Sequence, residues 1–179
     1  MAVLVVAAVG CGRDPDVIRP VETTPPVMVP LSPLDLKDHA AFDRLDASLP
    51  EGPARLKAYD DLARLAPDDR LVLVRGGLAA IAEGTDKGRA VLAGVLARTT
   101  TRWPDDPDVL YLSLLDRRSR LANGSPDARE LAAAAADFVT RHPGWKGPAG
   151  ATAADVERIR AAAEAAIVDV KPGPTDGQH

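Results

Sequence analysis

The chain has 179 residues, of which 27% are charged and 3% are aromatic, and its formal net charge is −4. A weakly acidic chain with interspersed signs has no basic face, which argues against nucleic acid as a partner and against electrostatic attraction to acidic lipids. Alanine and leucine dominate the apolar residues, and both lose little side-chain entropy in a helix, so the composition favours an all-α fold.

The N-terminus combines an uncharged apolar run, residues 1–10, with the single cysteine of the chain, Cys11. A lone thiol cannot form an internal disulfide. The run Ala8-Val9-Gly10-Cys11 resembles a bacterial lipobox, in which small residues precede a cysteine that is lipidated and becomes the mature N-terminus. The resemblance implies a signal peptide over residues 1–10 with a truncated n-region, since no lysine or arginine precedes the apolar run. The alternative is a frayed or buried N-terminal strand with an inert thiol.

The segment that follows, residues 11–32, contains repeated prolines and predicts a disordered, extended linker behind the lipidated cysteine. At about 3.1 Å per residue, about twenty residues could hold a domain roughly 60 Å from its membrane anchor. Gly12, rather than an aspartate, follows the cysteine, and this resemblance to enterobacterial lipoproteins implies sorting to the outer membrane. We therefore expect a lipid-anchored protein of the bacterial cell envelope that faces the periplasm or the cell surface.

An α-helical repeat domain is predicted over residues 33–170, with a disordered tail at 171–179. Its helices have apolar residues at helical spacing and are bounded by proline, glycine or a capping serine or aspartate. We predict seven helices, at about 33–49, 52–66, 70–82, 86–102, 107–122, 126–141 and 153–169. The fifth is apolar on more than one side, so it is expected to be the most buried helix.

Prolines that end helices recur along this domain. Pro67, Pro104 and Pro143 are separated by 37 and 39 residues, and each ends the second helix of a pair. Three helix pairs and one closing helix then account for residues 33–169. A period of this size is typical of stacked helical hairpins, and an irregular all-α bundle with coincidental prolines is the alternative.

Two stretches carry a family resemblance: Arg-His-Pro-Gly after Ala-Asp-Phe-Val, and Trp-Pro-Asp-Asp-Pro-Asp before a new helix. Both resemble loops between units of tetratricopeptide repeats, over roughly residues 51–145. Tyr59 occupies the bulky position eight residues before the closing proline, but Ala135 takes that place in the third unit. The units also exceed the usual length of about 34 residues, and the consensus Trp and Gly of the first helix are absent. The resemblance implies antiparallel helical hairpins stacked as a short solenoid that binds protein or peptide.

No residue set in the chain specifies a reaction. His39, His142 and His179 are far apart in sequence, whereas a metal site needs several converging ligands. Asp105, Asp106 and Asp108 cluster around a predicted helix start, where helix capping and turn formation account for them and the spacing does not fit a calcium loop. We therefore predict no catalytic, cofactor-binding or metal-binding residue and no enzymatic activity.

Adjacent glycines and paired acids have structural interpretations as well. Gly76 and Gly77 lie within a predicted helix rather than after a strand, so they are interpreted as permitting close helix packing or marking a bend instead of cradling a phosphate. Asp60 and Asp61 are adjacent on a helix and do not face each other, so they are interpreted as a solvated face.

Trp103 and Trp145 stand beside helix-ending prolines, in equivalent loops of successive units. The favoured interpretation is that their large side chains pack neighbouring units together. The alternative makes both tryptophans exposed contacts for a partner. The overall hypothesis is a membrane-anchored lipoprotein whose helical domain binds a protein or peptide. A structural scaffold or spacer subunit of an envelope complex is the first alternative, and an enzyme with an unrecognised site is the second.

Overall fold

A computed structural model describes residues 37–122 and 125–168, all within a unit that spans Ser32–His179. This part of the chain is all-helical, which confirms the predicted fold class. Its helices are α1 His39–Ser48, α2 Pro53–Leu65, α3 Arg70–Glu83, α4 Asp86–Arg102, α5 Pro107–Ser119, α6 Asp127–Arg141 and α7 Ala153–Val168. A 3₁₀ turn, Pro148–Gly150, and an isolated bridge between Lys146 and Thr152 precede α7, and the described residues form no β-strand.

The predicted bounds of five helices, α2, α3, α4, α6 and α7, lie within one residue of those observed. α5 ends at Ser119, three residues earlier than predicted, because the Arg120 N–H bonds to the Arg117 carbonyl and tightens the last turn. α1 begins at His39, where the side chain of Asp38 accepts from a backbone N–H of the first turn at 2.8 Å. The predicted start of this helix at residue 33 was too early, because Lys37 and Asp38 are not helical.

Short polar side chains hold the N-termini of α3, α4 and α5. Asp69, Thr85 and Asp106 each accept a bond from a backbone N–H two or three residues further on, at distances of 3.0–3.1 Å. Each bond satisfies a donor that the first turn of a helix leaves without a partner inside the helix. The capping role predicted for Asp106 is confirmed.

The connections that follow α2, α4 and α6 share one backbone geometry. The residue before each proline, Ala66, Trp103 or His142, has φ between −136° and −130° and ψ between 54° and 68°. Its N–H bonds to the carbonyl four residues earlier, and its carbonyl accepts from the N–H three residues later. A proline displaces the preceding residue from the α-helical region, so each helix ends at the same point of its turn.

Helix α3 contacts α2, α4 and α5, and α5 in turn contacts α4, α6 and α7. One apolar cluster lies mainly among α1 to α4, where Phe42 stacks on Tyr59 with ring centroids 6.2 Å apart. A second cluster lies among α5 to α7 and includes the buried residues Phe138 and Ile159. Leu78 packs against both clusters, so the two form a continuous core.

The most buried helix is α3, so the prediction that α5 would be the most buried was wrong. Eight residues of α3 are buried, against five of α5. Neighbouring helices cover α3 on several sides, whereas Leu110 and Leu115 of α5 remain only half-buried. Apolar content alone did not reveal this difference, because burial depends on how extensively the neighbouring helices cover a helix.

Glycines allow α3 to approach its neighbours closely. A Cβ added at Gly77 would lie 2.6 Å from Cδ2 of Leu112 on α5, and one added at Gly76 would lie 3.5 Å from Cβ of Tyr59 on α2. The predicted role in close packing is confirmed at Gly77, whereas a Cβ at Gly76 would make an ordinary van der Waals contact.

Candidate functional site

A buried arginine in α3 holds α1 against the rest of the domain. Arg75 is only 2% exposed. Its guanidinium donates at 2.7 Å to Asp43, at 2.9 Å to Asp46 and at 3.1 Å to the His39 carbonyl, all on α1. Because a buried charge is unfavourable unless it is paired and hydrogen-bonded, these contacts fix where α1 packs on α3.

Asp46 extends this arrangement to α2. Its Oδ1 accepts from the Tyr59 hydroxyl at 2.6 Å, while its Oδ2 accepts from Arg75. Arg55 donates to two backbone carbonyls at the end of α1, at 2.9 and 3.1 Å. The Arg75 cluster, as we name it, consists of Asp43, Asp46, Arg55, Tyr59 and Arg75. Its two carboxylates balance its two guanidinium groups.

A second charged cluster surrounds Asp108, which is 3% exposed at the start of α5. Its Oδ2 lies 2.6 Å from Nη1 of Arg70 and 3.2 Å from Nε2 of His39, and its Oδ1 accepts from Nε1 of Trp145 at 3.0 Å. Arg70 also donates to Asp106 at 2.9 Å. We name these five residues the Asp108 cluster. Three helices and the loop after α6 thus meet at one carboxylate.

A cavity of about 280 Å³ lies beside the Arg75 cluster. Its polar lining includes Asp46, Arg55, Arg75, Tyr111 and Asp155. Asp46, Arg55 and Arg75 already bind one another or the backbone. Of these three residues, Nε of Arg55 and Nε of Arg75 are buried without a hydrogen-bond partner.

The far wall of this cavity is the turn before α7. Asp155 accepts from the backbone N–H of Thr152 at 2.8 Å and from its hydroxyl at 3.0 Å, and it pairs with Arg158. These interactions, the backbone bond first, hold the pKa of the Asp155 carboxyl below its usual value. Ala149, in the same turn, has φ of 55°, an unusual conformation for a residue with a Cβ.

The buried hydroxyl of Tyr59 makes the stability of the domain depend on pH in the alkaline range. Burial, followed by the hydrogen bond to Asp46, raises the pKa of its hydroxyl far above the usual value of 10.0. The unfolded chain loses this proton near pH 10 while the folded chain keeps it, so the stabilisation is complete below about pH 10 and decreases as the pH rises further. We expect the free energy of unfolding to fall above about pH 10, and to fall less steeply in Tyr59→Phe.

Urea unfolding followed by circular dichroism across this pH range measures the effect. Tyr111→Phe is the control, because burial also raises the pKa of Tyr111 but its side chain is more exposed, at 9% against 1% for Tyr59. A Tyr59→Phe slope equal to that of the unchanged chain would contradict the prediction.

Trp145 is engaged within the fold. Its ring centroid lies 4.8 Å from that of Tyr111 and 5.1 Å from that of Phe138, and its Nε1 donates to Asp108. The side chain therefore packs the loop after α6 onto α5 and α6, in keeping with the favoured interpretation of this residue. Its role as a partner contact stays a prediction.

Trp103 borders a surface groove of about 550 Å³ between the α2–α3 connection and the last turns of α4. Pro67, Leu73, Ala97 and the half-buried Trp103 give it an apolar lining, and we name it the Trp103 groove. Leu65, at the end of α2, is a large apolar side chain that is 69% exposed. An open apolar groove beside a tryptophan can accept an apolar side chain of another molecule.

Three charged residues also line the Trp103 groove: Asp68, Arg98 and Arg102. Arg102 pairs with Asp68, and its guanidinium carbon lies 5.2 Å from the centroid of the Trp103 ring, within the range of a cation–π contact. Arg98 is exposed and pairs with no carboxylate of residues 37–122 or 125–168.

Several predicted features lie outside the described residues, namely the signal peptide, Cys11, the proline-rich linker, His179 and the tail. Of the other histidines, His39 pairs with Asp108 and the ring of His142 lies 5.1 Å from that of Phe138. Within the described ranges, no group of three or more His, Cys, Asp or Glu side chains is arranged to hold a metal ion. No helix in this part of the chain is long and apolar enough to cross a membrane.

Sequence reasoning did not identify the two charged clusters. The available signal for Arg75 was a single charge within the otherwise apolar run 71–81. Asp108 had no such signal, because its position at a helix start accounts for an aspartate without any further partner.

Comparison of the chain with protein families, with curated proteins and with solved structures found no match. The Arg75 and Asp108 clusters connect helices to one another, whereas the Trp103 groove is open at the surface. Among the described residues, this groove is therefore the candidate functional site.

Proposed function

We propose that the chain is a lipoprotein of the bacterial cell envelope, anchored through Cys11, whose helical domain binds a protein or peptide partner and catalyses no reaction. The lipobox-like run Ala8-Val9-Gly10-Cys11 supports the anchor. The observation that carries the binding function is the Trp103 groove, which combines a volume of about 550 Å³ with an apolar lining at the surface.

The repeated geometry of the connections after α2, α4 and α6 supports an arrangement of stacked hairpins that resembles tetratricopeptide repeats. The contacts of α3 with α5 and of α5 with α7 support it further, because successive first helices of stacked hairpins lie side by side. Such domains present extended surfaces to partners.

Trp103 is the residue on which a partner would be anchored. Binding energy at protein interfaces concentrates on a few large side chains, among which tryptophan is enriched. Arg102 lies over its ring, and the side chain packs against the first apolar cluster, so little side-chain entropy remains to be lost when a partner binds.

Filling the groove tests the binding function. A displayed library of random peptides of about twelve residues, long enough to cover the last turns of α4, is selected against the full-length chain. Ala97 is exposed and lines the groove, so the tryptophan of Ala97→Trp should fill the groove. We expect it to weaken the binding of the selected peptides by about tenfold or more. Ala133→Trp is the matched control, since Ala133 is exposed on another helix, α6, and does not line the groove.

Fluorescence anisotropy of the selected peptides gives the dissociation constants. Loss of binding in Ala97→Trp with binding retained in Ala133→Trp is the expected result. Equal affinity for both variants would place the binding site elsewhere, and a selection that enriches no peptide would contradict peptide binding itself.

Metabolic labelling with a fatty-acid probe tests the anchor independently. The unchanged chain expressed in a bacterium should incorporate the probe, and Cys11→Ser should not, because the acyl groups of a lipoprotein attach at the cysteine. Equal labelling of the two chains, or labelling of neither, would contradict the proposed anchor.

A further inference from the structure

The charges around the Trp103 groove indicate which partner it suits. Arg98 and Arg102 are exposed on the last turns of α4, and Asp68 is the acidic residue of the lining. The ion pair between Arg102 and Asp68 is exposed, with side chains 52% and 70% accessible, so it contributes little stability and a carboxylate of a ligand can replace Asp68. The net charge of the groove lining is therefore positive.

The same charge continues along α4. Lys87 and Arg98 are eleven residues apart, about three helical turns, so both lie on the same side of the helix. Both are exposed, and neither pairs with a carboxylate of the described residues. Together with Arg102 they form a basic edge along most of the length of α4, which spans Asp86–Arg102.

Beside this basic edge, α4 has exposed residues with small side chains or none. Ala90, Ala93, Gly94 and Ala97 are exposed, small and at helical spacing, and a Cβ added at Gly94 would have no atom within 4 Å. A bound segment can therefore lie close to the backbone of α4 and reach the groove at its C-terminal end.

We propose that the Trp103 groove and the adjoining face of α4 bind an acidic, amphipathic segment of a partner protein. An apolar side chain of the segment packs against Trp103, and its carboxylates lie against Arg98, Arg102 and Lys87. Arginine suits this role because its planar guanidinium binds a carboxylate through two parallel hydrogen bonds. This partner class rests on the proposed binding function and specifies it.

The overall charge of −4 does not oppose such a partner strongly. Interactions between exposed charges are largely screened beyond about 8 Å at physiological ionic strength. Arg98 and Arg102 line the groove in direct reach of the ligand, against the single acidic residue of the lining, Asp68, so the local charge decides the preference.

Reversing the basic edge tests the inference. Random peptides of about twelve residues are selected separately against the full-length chain, the double variant Lys87→Glu/Arg98→Glu, and the control Arg118→Glu/Arg129→Glu. Arg118 and Arg129 are exposed on α5 and α6 and pair with no carboxylate of the described residues, so the control makes the same change of net charge away from the groove.

The unchanged chain and the control should enrich peptides that combine an apolar residue with an excess of aspartate and glutamate. Lys87→Glu/Arg98→Glu should enrich basic peptides instead, and it should bind the acidic peptides about tenfold more weakly, or worse. If all three selections enriched peptides of the same charge, and Ala97→Trp still abolished the binding of these peptides, the acidic preference would be overturned and the binding function would remain intact. Enrichment of no peptide on the unchanged chain would overturn both.

Discussion

Replacing Arg75 with methionine should lower the free energy of unfolding by about 3 kcal/mol, because removal of the buried guanidinium leaves Asp43 and Asp46 without their countercharge. The guanidinium is 1% exposed, and it binds two side chains and one carbonyl of α1. Its carboxylate partners retain some contact with water, 46% for Asp43 and 21% for Asp46, so the loss should lie at the lower end of the range for buried pairs. Methionine keeps much of the volume, which limits the contribution of an empty space.

Urea unfolding at neutral pH measures this loss without the ionic screening that guanidinium chloride would add. Arg64→Met is the control, since Arg64 is 72% exposed and pairs with an aspartate one turn away on α2, and no resolvable change is expected. Arg75→Lys should lose less stability than Arg75→Met, because lysine keeps the positive charge. It should still be less stable than the unchanged chain, because lysine cannot bind two carboxylates through a planar fork. Equal stability of Arg75→Met and the unchanged chain would show that the cluster does not stabilise the fold.

Replacing Gly88 with alanine should destabilise the domain by about 2 kcal/mol, although alanine is the better helix former. A Cβ at Gly88 would lie 2.6 Å from the backbone carbonyl oxygen of Ala80 on α3. A backbone atom cannot rotate away as the end of a side chain can, so α4 must move from α3 and lose packing along their shared face.

Gly94→Ala is the matched control for this prediction, because it makes the same change within the same helix. Gly94 is exposed, and its added Cβ would meet no atom within 4 Å. At that position alanine only reduces the conformational freedom that the backbone loses on folding. Gly94→Ala should therefore stabilise the domain by about 0.5–1 kcal/mol. Thermal and urea unfolding of both variants measure the two effects, and effects of the same sign would contradict the close approach of α4 to α3.

The helix bounds could be predicted from the sequence because short-range interactions decide them. Pro67 and Pro104 end α2 and α4 by acting on the residue just before them, and Asp69 and Asp106 cap helices through bonds that span two or three residues. α1 was predicted less well, since it begins at His39, where Asp38 caps it, and not at residue 33.

The candidate site could be predicted only in part. Trp103 and Trp145 were selected for the same local reason, their position beside a helix-ending proline. The structure places them differently, because Trp145 reaches Asp108, 37 residues away, whereas Trp103 borders an open groove. Which of two equivalent loops leaves a groove open depends on the helices around it and cannot be inferred from the loop itself.

The sequence by itself determined that the domain is all-helical, where most helices begin and end, and that the same turn recurs after three of them. These features follow from interactions within about one helical turn. Only the tertiary structure decided that α3 is the most buried helix and that its Arg75 binds Asp46, 29 residues away. Helix packing depends on many weak contacts spread over whole helix faces. These contacts join residues that are far apart in sequence, so no short stretch of sequence reveals them.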